Sequence, residues 1–202
     1  MNVHLSGAMD RRNLLPQDGY AYLIDDTEGA FTWPEITASL AETVPWRLEV
    51  AHLFGRKMPV PRMTAWFGEA DYTYSGIRHR AAPLPPIIQS LRERAERLSG
   101  AAYNSVLLNL YRNGADSVGW HSDNEAGLGD CPTIASLSLG ATRRFALRHR
   151  TTKETITLEL TEGRWLIMAG ETQRFWVHQV PKTTAPVGRR INLTFRRMIE
   201  AL

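Results

Sequence analysis

The sequence predicts an α+β protein in which helices come early and a β-sandwich of jelly-roll type forms the later half. Between residues 104 and 197, short segments of strand character are separated by turn residues, a spacing typical of an antiparallel sandwich or barrel. Two segments before residue 100 carry helix signals instead. The chain has 202 residues, of which 43% are hydrophobic and 22% charged, so a single globular domain is favoured.

The first helix is predicted from its start signals. Thr32 is a candidate capping hydroxyl, and Pro34 and Glu35 suit the first helical turn, so a helix would run to about residue 42. Residues 51–63 contain a glycine and two prolines, and we expect a loop or an irregular hairpin there. Three short strands are predicted around these segments, at residues 19–24, 46–50 and 64–68.

Residues 87–99 carry the clearest helical pattern, because their apolar side chains recur at helical spacing. The charged residues of this segment, Arg94 among them, are expected elsewhere on the cylinder, and Gly100 is expected to end the helix. The apolar side should cover one face of a sheet. It consists of Ile87, Ile88, Leu91, Ala95 and Leu98.

The strands of the later half are predicted from period-two alternation, in which every second side chain points to the same face. Ile134 to Leu139 alternates in this way and ends at Gly140. The predicted strands are residues 106–111, 134–139, 144–148, 155–160, 164–168, 175–178 and 190–196.

Composition and charge indicate the setting of the protein. The single cysteine, Cys131, excludes an intrachain disulfide and fits a reducing compartment. Neither a secretory leader nor an apolar run of membrane-spanning length is visible, so we expect a cytoplasmic protein, bacterial from its small size, with no membrane association. A monomer is the default expectation. The formal net charge of +3 is mild, but arginines cluster at residues 143–150 and 189–197, as in proteins with polyanionic partners.

The strongest chemical signal is the spacing of His121 and Asp123. In an extended segment, residues two apart point to the same side, so both could face one metal ion. With His178 from another strand they would form the two-histidine, one-carboxylate face of non-haem Fe(II) oxygenases, which leaves three positions open. Zinc is the competing metal, although structural zinc favours four ligands and often cysteines.

A second signal is a row of polar side chains along the last predicted strand. Alternation would place Arg190, Asn192, Thr194 and Arg196 on one face and apolar residues on the other. A buried row of this kind calls for an anion, and a dicarboxylate such as 2-oxoglutarate would suit a guanidinium. An exposed strand with solvated arginines is an equally weighted alternative. Asn109 and Tyr111 alternate in the same way and could contact the same ligand.

Six motifs follow one another in the order of a known family and cover about two thirds of the chain. They are Pro61–Gly68, Tyr72–Ser75, Asn109–Asn113, Asp116–Asp123, Ile134–Arg143 and Arg190–Arg196. Together they resemble the AlkB family of Fe(II)- and 2-oxoglutarate-dependent nucleic-acid dealkylases, and most closely its animal homologues two and three.

The resemblance implies one dioxygenase domain with a double-stranded β-helix (jelly-roll) core at about residues 100–202, and N-terminal helices covering one sheet. An N-terminal extension would occupy about residues 1–50 and a nucleotide-recognition lid about residues 51–82. Fe(II) would be held by His121, Asp123 and His178. The co-substrate 2-oxoglutarate would be bound through its distal carboxylate by Arg190, in a pocket also lined by Asn109, Tyr111, Asn192, Thr194 and Arg196.

The implied reaction consumes O2 and 2-oxoglutarate, releases succinate and CO2, and removes the methyl group of 1-methyladenine or 3-methylcytosine as formaldehyde. It would repair alkylation damage in DNA, with single strands preferred and with RNA and duplex DNA as further candidates. The target atoms lie on the pairing edge of the base, so the base must be unpaired or flipped out. The implied substrate-binding residues are Phe54, Arg62, Trp66, Tyr72, Tyr74, Ser75 and Glu125.

Two of these assignments have structural alternatives. Leu53-Phe54-Gly55 resembles the hairpin wedge of homologue two, which fills the gap left by a flipped base. The rest of the chain is closer to homologue three, which prefers single strands, and Phe54 could simply be buried. For Trp66, hydrophobic packing is the better interpretation. At the level of function, the rivals are an oxygenase of a protein or lipid substrate and a catalytically inactive nucleic-acid-binding module.

Overall fold

A computed structural model of the protein describes residues 12–26, 31–53, 56–69, 72–74, 77–79 and 82–199, with the backbone alone described at 51–53, 56–58, 72–74 and 77–79. The strands within these ranges are β1 (Tyr20–Asp25), β2 (Arg47–Leu53), β3 (Arg56–Gly68), β4 (Tyr72–Tyr74), β5 (Ile77–His79), β6 (Ser105–Tyr111), β7 (Val118–His121), β8 (Ile134–Gly140), β9 (Arg143–His149), β10 (Thr155–Leu160), β11 (Arg164–Ala169), β12 (Trp176–Val180) and β13 (Arg190–Arg196). The α-helices are α1 (Trp33–Thr43), α2 (Pro86–Ser99) and α3 (Thr172–Phe175).

Two antiparallel sheets form the body of the fold. The larger has seven strands in the order β1-β11-β8-β13-β6-β3-β2, and the smaller has four in the order β10-β9-β12-β7. A separate two-stranded ribbon pairs β4 with β5. The two main sheets confirm the predicted jelly-roll architecture, because neighbouring strands come from distant parts of the chain, as in Greek-key connections.

The outer face of the larger sheet is covered by helices α1 and α2, as predicted. Leu40 of α1 and Leu91 of α2 belong to the same hydrophobic cluster as Leu193 and Phe195 of β13, all nearly inaccessible to solvent. Burial of one such side chain contributes about 1.5–3 kcal/mol. Since this face of the larger sheet packs against the helices, the opposite face of the same strands faces the smaller sheet.

Helix α2 ends where the sequence predicts, because Gly100 adopts a left-handed φ of 72° and its N–H donates to the carbonyl of Glu96. The helical pattern does not reveal the environment of Arg94. This residue is buried, and its Nε and Nη2 donate to the carboxylate of Asp26 at 2.9 and 2.7 Å. The partner lies far away in sequence, so spacing within the helix could not reveal this ion pair.

Of the two alternatives for residues 51–63, the described residues fit the irregular hairpin, and they contain more strand than expected. Strands β2 and β3 pair from Leu53–Arg56 back to Arg47–Thr64, with a register shift between Leu48 and Val50. Both prolines of β3 lie before Met63, where pairing with β6 begins. A proline is tolerated there because it does not interrupt a ladder that has partners on both sides.

Three local expectations differ from the structure. Thr32 occupies the N-cap of α1, but its hydroxyl makes no capping hydrogen bond. Phe175 ends the one-turn helix α3 instead of starting a strand. Strand β7 was not predicted, since four residues that include a glycine give too little alternation to recognise.

None of the helices in the described ranges could span a bilayer.

Candidate metal centre and co-substrate pocket

The two candidate histidine ligands lie opposite each other on neighbouring strands. His178 of β12 is the antiparallel partner of His121 of β7, and their ring centroids are 4.3 Å apart at an interplanar angle of 61°. Paired residues in antiparallel strands project their side chains to the same face of the sheet. The smaller sheet therefore brings both imidazoles to one point, facing the larger sheet.

Asp123 completes the group from the segment that follows β7. One potential ligand atom each from His121, Asp123 and His178 lies within 4.8 Å of the others. Both Asp123 and His178 are buried, with 2% and 5% exposure. Two nitrogens and one oxygen at this spacing fit a divalent first-row metal and match the donor set of Fe(II) oxygenases. The cluster found among the described residues has no fourth ligand of the kind that structural zinc requires.

The imidazoles are oriented and neutral. The Nδ1 of His121 lies 2.8 Å from the carbonyl oxygen of Gly119, so as a donor it leaves Nε2 as the lone pair for a metal. Phe145 stacks on His178 at a centroid distance of 5.3 Å. Burial, aided by the neighbouring His121, lowers the pKa of His178 to about 3. Neutral imidazole is the form that coordinates metals.

The carboxylate ligand is paired with a buried arginine. Arg196 donates from Nη2 to Oδ1 of Asp123 at 2.8 Å, and both side chains are almost fully enclosed. Burial alone would raise the pKa of Asp123, but the charge and hydrogen bond of Arg196 hold it below its ordinary value. The lowered pKa favours the ionised form of Asp123, and Arg196 contacts this metal-ligand candidate in addition to lining the pocket.

Arg190 is the most deeply buried cation of the polar row, with 1% exposure. Its Nη2 donates to Oγ of Ser138 at 2.8 Å, and its guanidinium lies 5.2 Å from the centre of the Tyr111 ring. Its Nε and Nη1 are buried with no hydrogen-bond partner among the described residues. Burial lowers the pKa of Arg190, and the neighbouring Tyr111 hydroxyl partly opposes this shift. Two unsatisfied donors on a buried guanidinium are costly unless an anionic group occupies the pocket.

The other polar side chains in and around the row hydrogen-bond to neighbouring polar side chains. Asn192 donates to Oγ of Ser136 at 2.8 Å, and Thr194 donates to Oδ1 of Asn192 at 3.1 Å. Across the sheet, Nε of Arg62 donates to Oδ1 of Asn109 at 2.6 Å. Since the whole row is buried, the alternative of an exposed strand with solvated arginines is wrong.

One pocket between the two sheets contains both groups of residues. It is lined by the metal-binding candidates His121, Asp123 and His178, by Asn109, Tyr111, Arg190, Asn192, Thr194 and Arg196, and by Arg62, Leu107, Val118, Ser136, Phe145, Met168 and Val180. All nine residues predicted for iron and co-substrate are thus brought together, along with Arg62.

The other predicted substrate residues lie elsewhere or outside the described residues. Trp66 is buried and packs against Leu107 and Met198. Glu125 is half-buried directly before a 3-10 turn at Ala126–Leu128. Tyr72 and Tyr74 belong to β4, but their side chains are not among those described, and Ser75 and Phe54 fall outside the described residues altogether.

Sequence reasoning missed several residues that support the site. Ser136 and Ser138 share the pocket face of β8, and the period-two alternation of that strand could have identified them. Ser122, between two metal-ligand candidates, accepts a 2.7 Å hydrogen bond from Arg150. Gln173 of α3 accepts a 2.9 Å hydrogen bond from the backbone N–H of Asp123, and no sequence signal pointed to it.

Comparison with known proteins gives the following matches. The model of the 2OG-Fe(II) oxygenase superfamily matches residues 32–196. The alpha-ketoglutarate-dependent dioxygenase alkB homolog 3 of Homo sapiens is 44% identical over 171 residues, covering 80% of this chain and 60% of that protein. The DNA oxidative demethylase ALKBH2 of Mus musculus is 36% identical over 162 residues, covering 75% of this chain and 68% of that protein.

The chain spans about three fifths of the length of the alkB homolog 3 proteins, with 58% of the protein of Rattus norvegicus covered at 43% identity. Among solved structures, that of OsALKBH1 superposes with a TM-score of 0.63 at 15% identity, covering 88% of this chain and 97% of that one. At this identity the structural match shows the shared fold alone.

Proposed function

Because the chain belongs to the 2OG-Fe(II) oxygenase superfamily and, within it, to the AlkB family, we propose that it is an Fe(II)- and 2-oxoglutarate-dependent dioxygenase that demethylates alkylated bases in DNA. The described strands from β1 to β13 would act as one dioxygenase domain, with residues 51–82 as its nucleotide-recognition lid.

The observation that carries this proposal is the content of one pocket. A buried two-histidine, one-carboxylate cluster and the buried guanidinium of Arg190 face the same space between the sheets. A metal with open positions and a cation with two unsatisfied donors suit a small anionic co-substrate that binds both at once. A nucleic-acid-binding module without catalytic activity would have no use for either feature.

We assign a role to each part of this pocket. His121, Asp123 and His178 hold the iron, and Arg190 pairs with the distal carboxylate of 2-oxoglutarate. Fe(II), 2-oxoglutarate and O2 supply the oxidation, in which the co-substrate becomes succinate and CO2 and the N-methyl group is hydroxylated and lost as formaldehyde. Asn109 and Arg62 hydrogen-bond to each other and line one part of the pocket. Asn192 and Thr194, which are also hydrogen-bonded to each other, line another part.

The proposed substrate is a single-stranded DNA containing 1-methyladenine or 3-methylcytosine. Only an unpaired or flipped base can bring its pairing edge into a pocket this deep between two sheets. Glu125 lies two residues beyond Asp123 and could accept from the exocyclic amine that both bases carry. Tyr72, Tyr74 and Ser75 would contact the nucleotide from the lid, and RNA is a further substrate to test.

Repair of duplex DNA is a narrower possibility that depends on one hairpin. β2 is an edge strand of the larger sheet, and its pairing with β3 closes at Leu53 and Arg56. Phe54 itself lies outside the described residues, and we propose that its apolar side chain fills the gap left by a flipped base.

The direct test is a repair assay on defined oligonucleotides. The protein is incubated with Fe(II), ascorbate, 2-oxoglutarate and a single-stranded DNA carrying one 1-methyladenine, and mass spectrometry measures whether the lesion loses one CH2 unit. Matched duplex DNA and RNA oligonucleotides with the same lesion rank the three substrates. Repair of the single strand faster than the duplex would support the proposal.

Two outcomes would contradict it. A protein that binds Fe(II) and 2-oxoglutarate yet repairs no methylated oligonucleotide would have another substrate, such as a protein or a lipid. A protein that binds neither iron nor co-substrate would be a nucleic-acid-binding module.

A further inference from the structure

Gln173 is a buried amide that belongs to neither the metal cluster nor the co-substrate pocket. It is the second residue of the one-turn helix α3, which connects β11 to β12, and it is 2% exposed. A glutamine enclosed to this degree must use its donors and acceptors on nearby protein groups. The hydrogen bonds of the Gln173 amide therefore show which parts of the structure this side chain stabilises.

The amide of Gln173 contacts two residues that border the pocket. Its Oε1 accepts from the backbone N–H of Asp123 at 2.9 Å, and its Nε2 lies 3.6 Å from the thioether sulfur of Met168. A backbone N–H can only donate, so the oxygen of the amide must be the atom that faces Asp123. The nitrogen then faces the sulfur, which is a weak acceptor.

The main chain of Asp123 needs such a partner because it has left the sheet. Strand β7 ends at His121, and the residues between it and the turn at Ala126–Leu128 have no ladder partners of their own. Gln173 fixes the backbone of Asp123, and Arg196 fixes its carboxylate at 2.8 Å. The side chain is thereby oriented from both of its ends.

The helix that carries Gln173 is itself anchored. The preceding residue, Thr172, is 1% exposed, and its hydroxyl accepts from the N–H of Tyr20 at 2.9 Å and donates to the carbonyl of Ala169 at 2.6 Å. From α3 the chain passes directly into β12, which carries His178. One short segment thus sets the position of one metal ligand and holds the backbone of another.

We infer that Gln173 is a positioning residue that aims the carboxylate of Asp123 at the metal. The inference rests on the proposed metal centre. Outer contacts of this kind typically change metal affinity by about 10- to 100-fold when they are removed. Loss of the acceptor should weaken metal binding and lower kcat in proportion to the metal that is lost.

The test is a Co(II) titration of the metal-free protein, followed through the visible absorption of the bound ion. Gln173→Met keeps the length of the side chain but removes the acceptor, and we expect its Kd for Co(II) to rise about 10- to 100-fold. Gln173→Glu keeps an oxygen in the same place and should restore the Kd to within about threefold of wild type. Arg174→Met, at the exposed neighbouring position, is the matched control and should leave the Kd unchanged.

The titration separates failure of the inference from failure of the metal centre. If wild-type protein binds Co(II) and Gln173→Met binds it equally well, with only a lower melting temperature, Gln173 is merely structural and the inference is overturned. Equal weakening in Gln173→Glu and Gln173→Met would also overturn it. If Gln173→Met does not fold, Gln173→Asn, which withdraws the acceptor by one carbon, is titrated in its place, and an unchanged Kd in that variant overturns the inference. Absence of Co(II) binding by wild-type protein would overturn the metal centre, and the inference with it.

Discussion

His121 and His178 are direct cross-strand partners, with their rings 4.3 Å apart, although they come from distant parts of the chain. The pairing of β7 with β12 therefore assembles two thirds of the proposed metal site without any loop. Sites on paired strands are positioned more accurately than sites on loops. The third proposed ligand, Asp123, lies just beyond the strand and hydrogen-bonds to Gln173 and Arg196.

Replacing His178 by alanine should remove metal binding and repair together. The variant lacks one of three ligands, so its metal affinity should fall by more than about 100-fold, beyond the range typical of outer contacts. Co(II) titration and the oligonucleotide assay measure the two effects. Gln179→Ala, the neighbour whose half-buried side chain points to the other face of β12, is the control and should retain both. Full repair by the His178→Ala protein would refute the assignment of this ligand.

Substitution of Arg190 should weaken co-substrate binding without lowering the melting temperature of the protein. In Arg190→Met the bidentate carboxylate pair is lost, so the KM for 2-oxoglutarate should rise by roughly 100-fold or more. The buried guanidinium with two unsatisfied donors is removed as well, so the melting temperature of the free protein should stay level or rise. Arg190→Lys cannot form the bidentate pair and should also bind weakly. An unchanged KM in both variants would place the co-substrate elsewhere.

The ion pair of Asp116 and Arg112 should make stability depend on acid pH. Arg112 donates to Asp116 from its backbone N, Nε and Nη2 at 2.9, 2.8 and 2.8 Å, and these bonds lower the pKa of Asp116. Because the folded pKa is depressed, the stabilisation is complete above the ordinary carboxyl pKa of 3.8 and is lost as the pH falls through the folded value.

Asp116→Asn should therefore lower the free energy of unfolding by about 1–2 kcal/mol at pH 7, a range that allows for the partial exposure of Arg112. The difference from wild type should shrink when chemical denaturation is repeated below pH 3.8. Glu171→Gln, which breaks an exposed pair with Arg174, should cost less than about 0.5 kcal/mol at either pH. A gap between wild type and Asp116→Asn that persists in acid would exclude this linkage.

Phe54 offers a test of strand preference. If it is a wedge in the β2–β3 hairpin, Phe54→Ala should lose repair of duplex DNA by about 10-fold or more while repair of single strands stays close to wild type. The comparison uses one lesion in two matched substrates. Equal loss on both substrates would mean that Phe54 serves packing or folding, and the wedge would be abandoned.

The strands of the later half were predictable because their two faces differ in chemistry. On β13, arginine, asparagine and threonine alternate with large apolar residues, so both the strand and the existence of a polar face could be inferred. The pairing of strands could not, because β8 and β6 flank β13 from opposite sides through contacts that no local pattern encodes.

The features that escaped prediction all depend on long-range partners. The spacing within α2 gives no sign that Arg94 is buried, and it pairs there with Asp26 from the segment after β1. Gln173 showed no signal, since an isolated polar residue in a single helical turn resembles any surface position. In each case a hydrogen bond or ion pair to a residue distant in sequence offsets the free-energy cost of burying a polar side chain.

One face of strand β13 packs against the helices and the other lines the pocket, and this arrangement has a consequence for engineering. A slip of one residue would exchange the two faces, so the apolar contacts beneath the helices also lock the pocket residues in place. Residues that pack in the hydrophobic core thus alternate with residues that line the pocket along the seven positions of β13. Libraries that vary Asn192 and Thr194 could retune the co-substrate while the helical layer preserves the register.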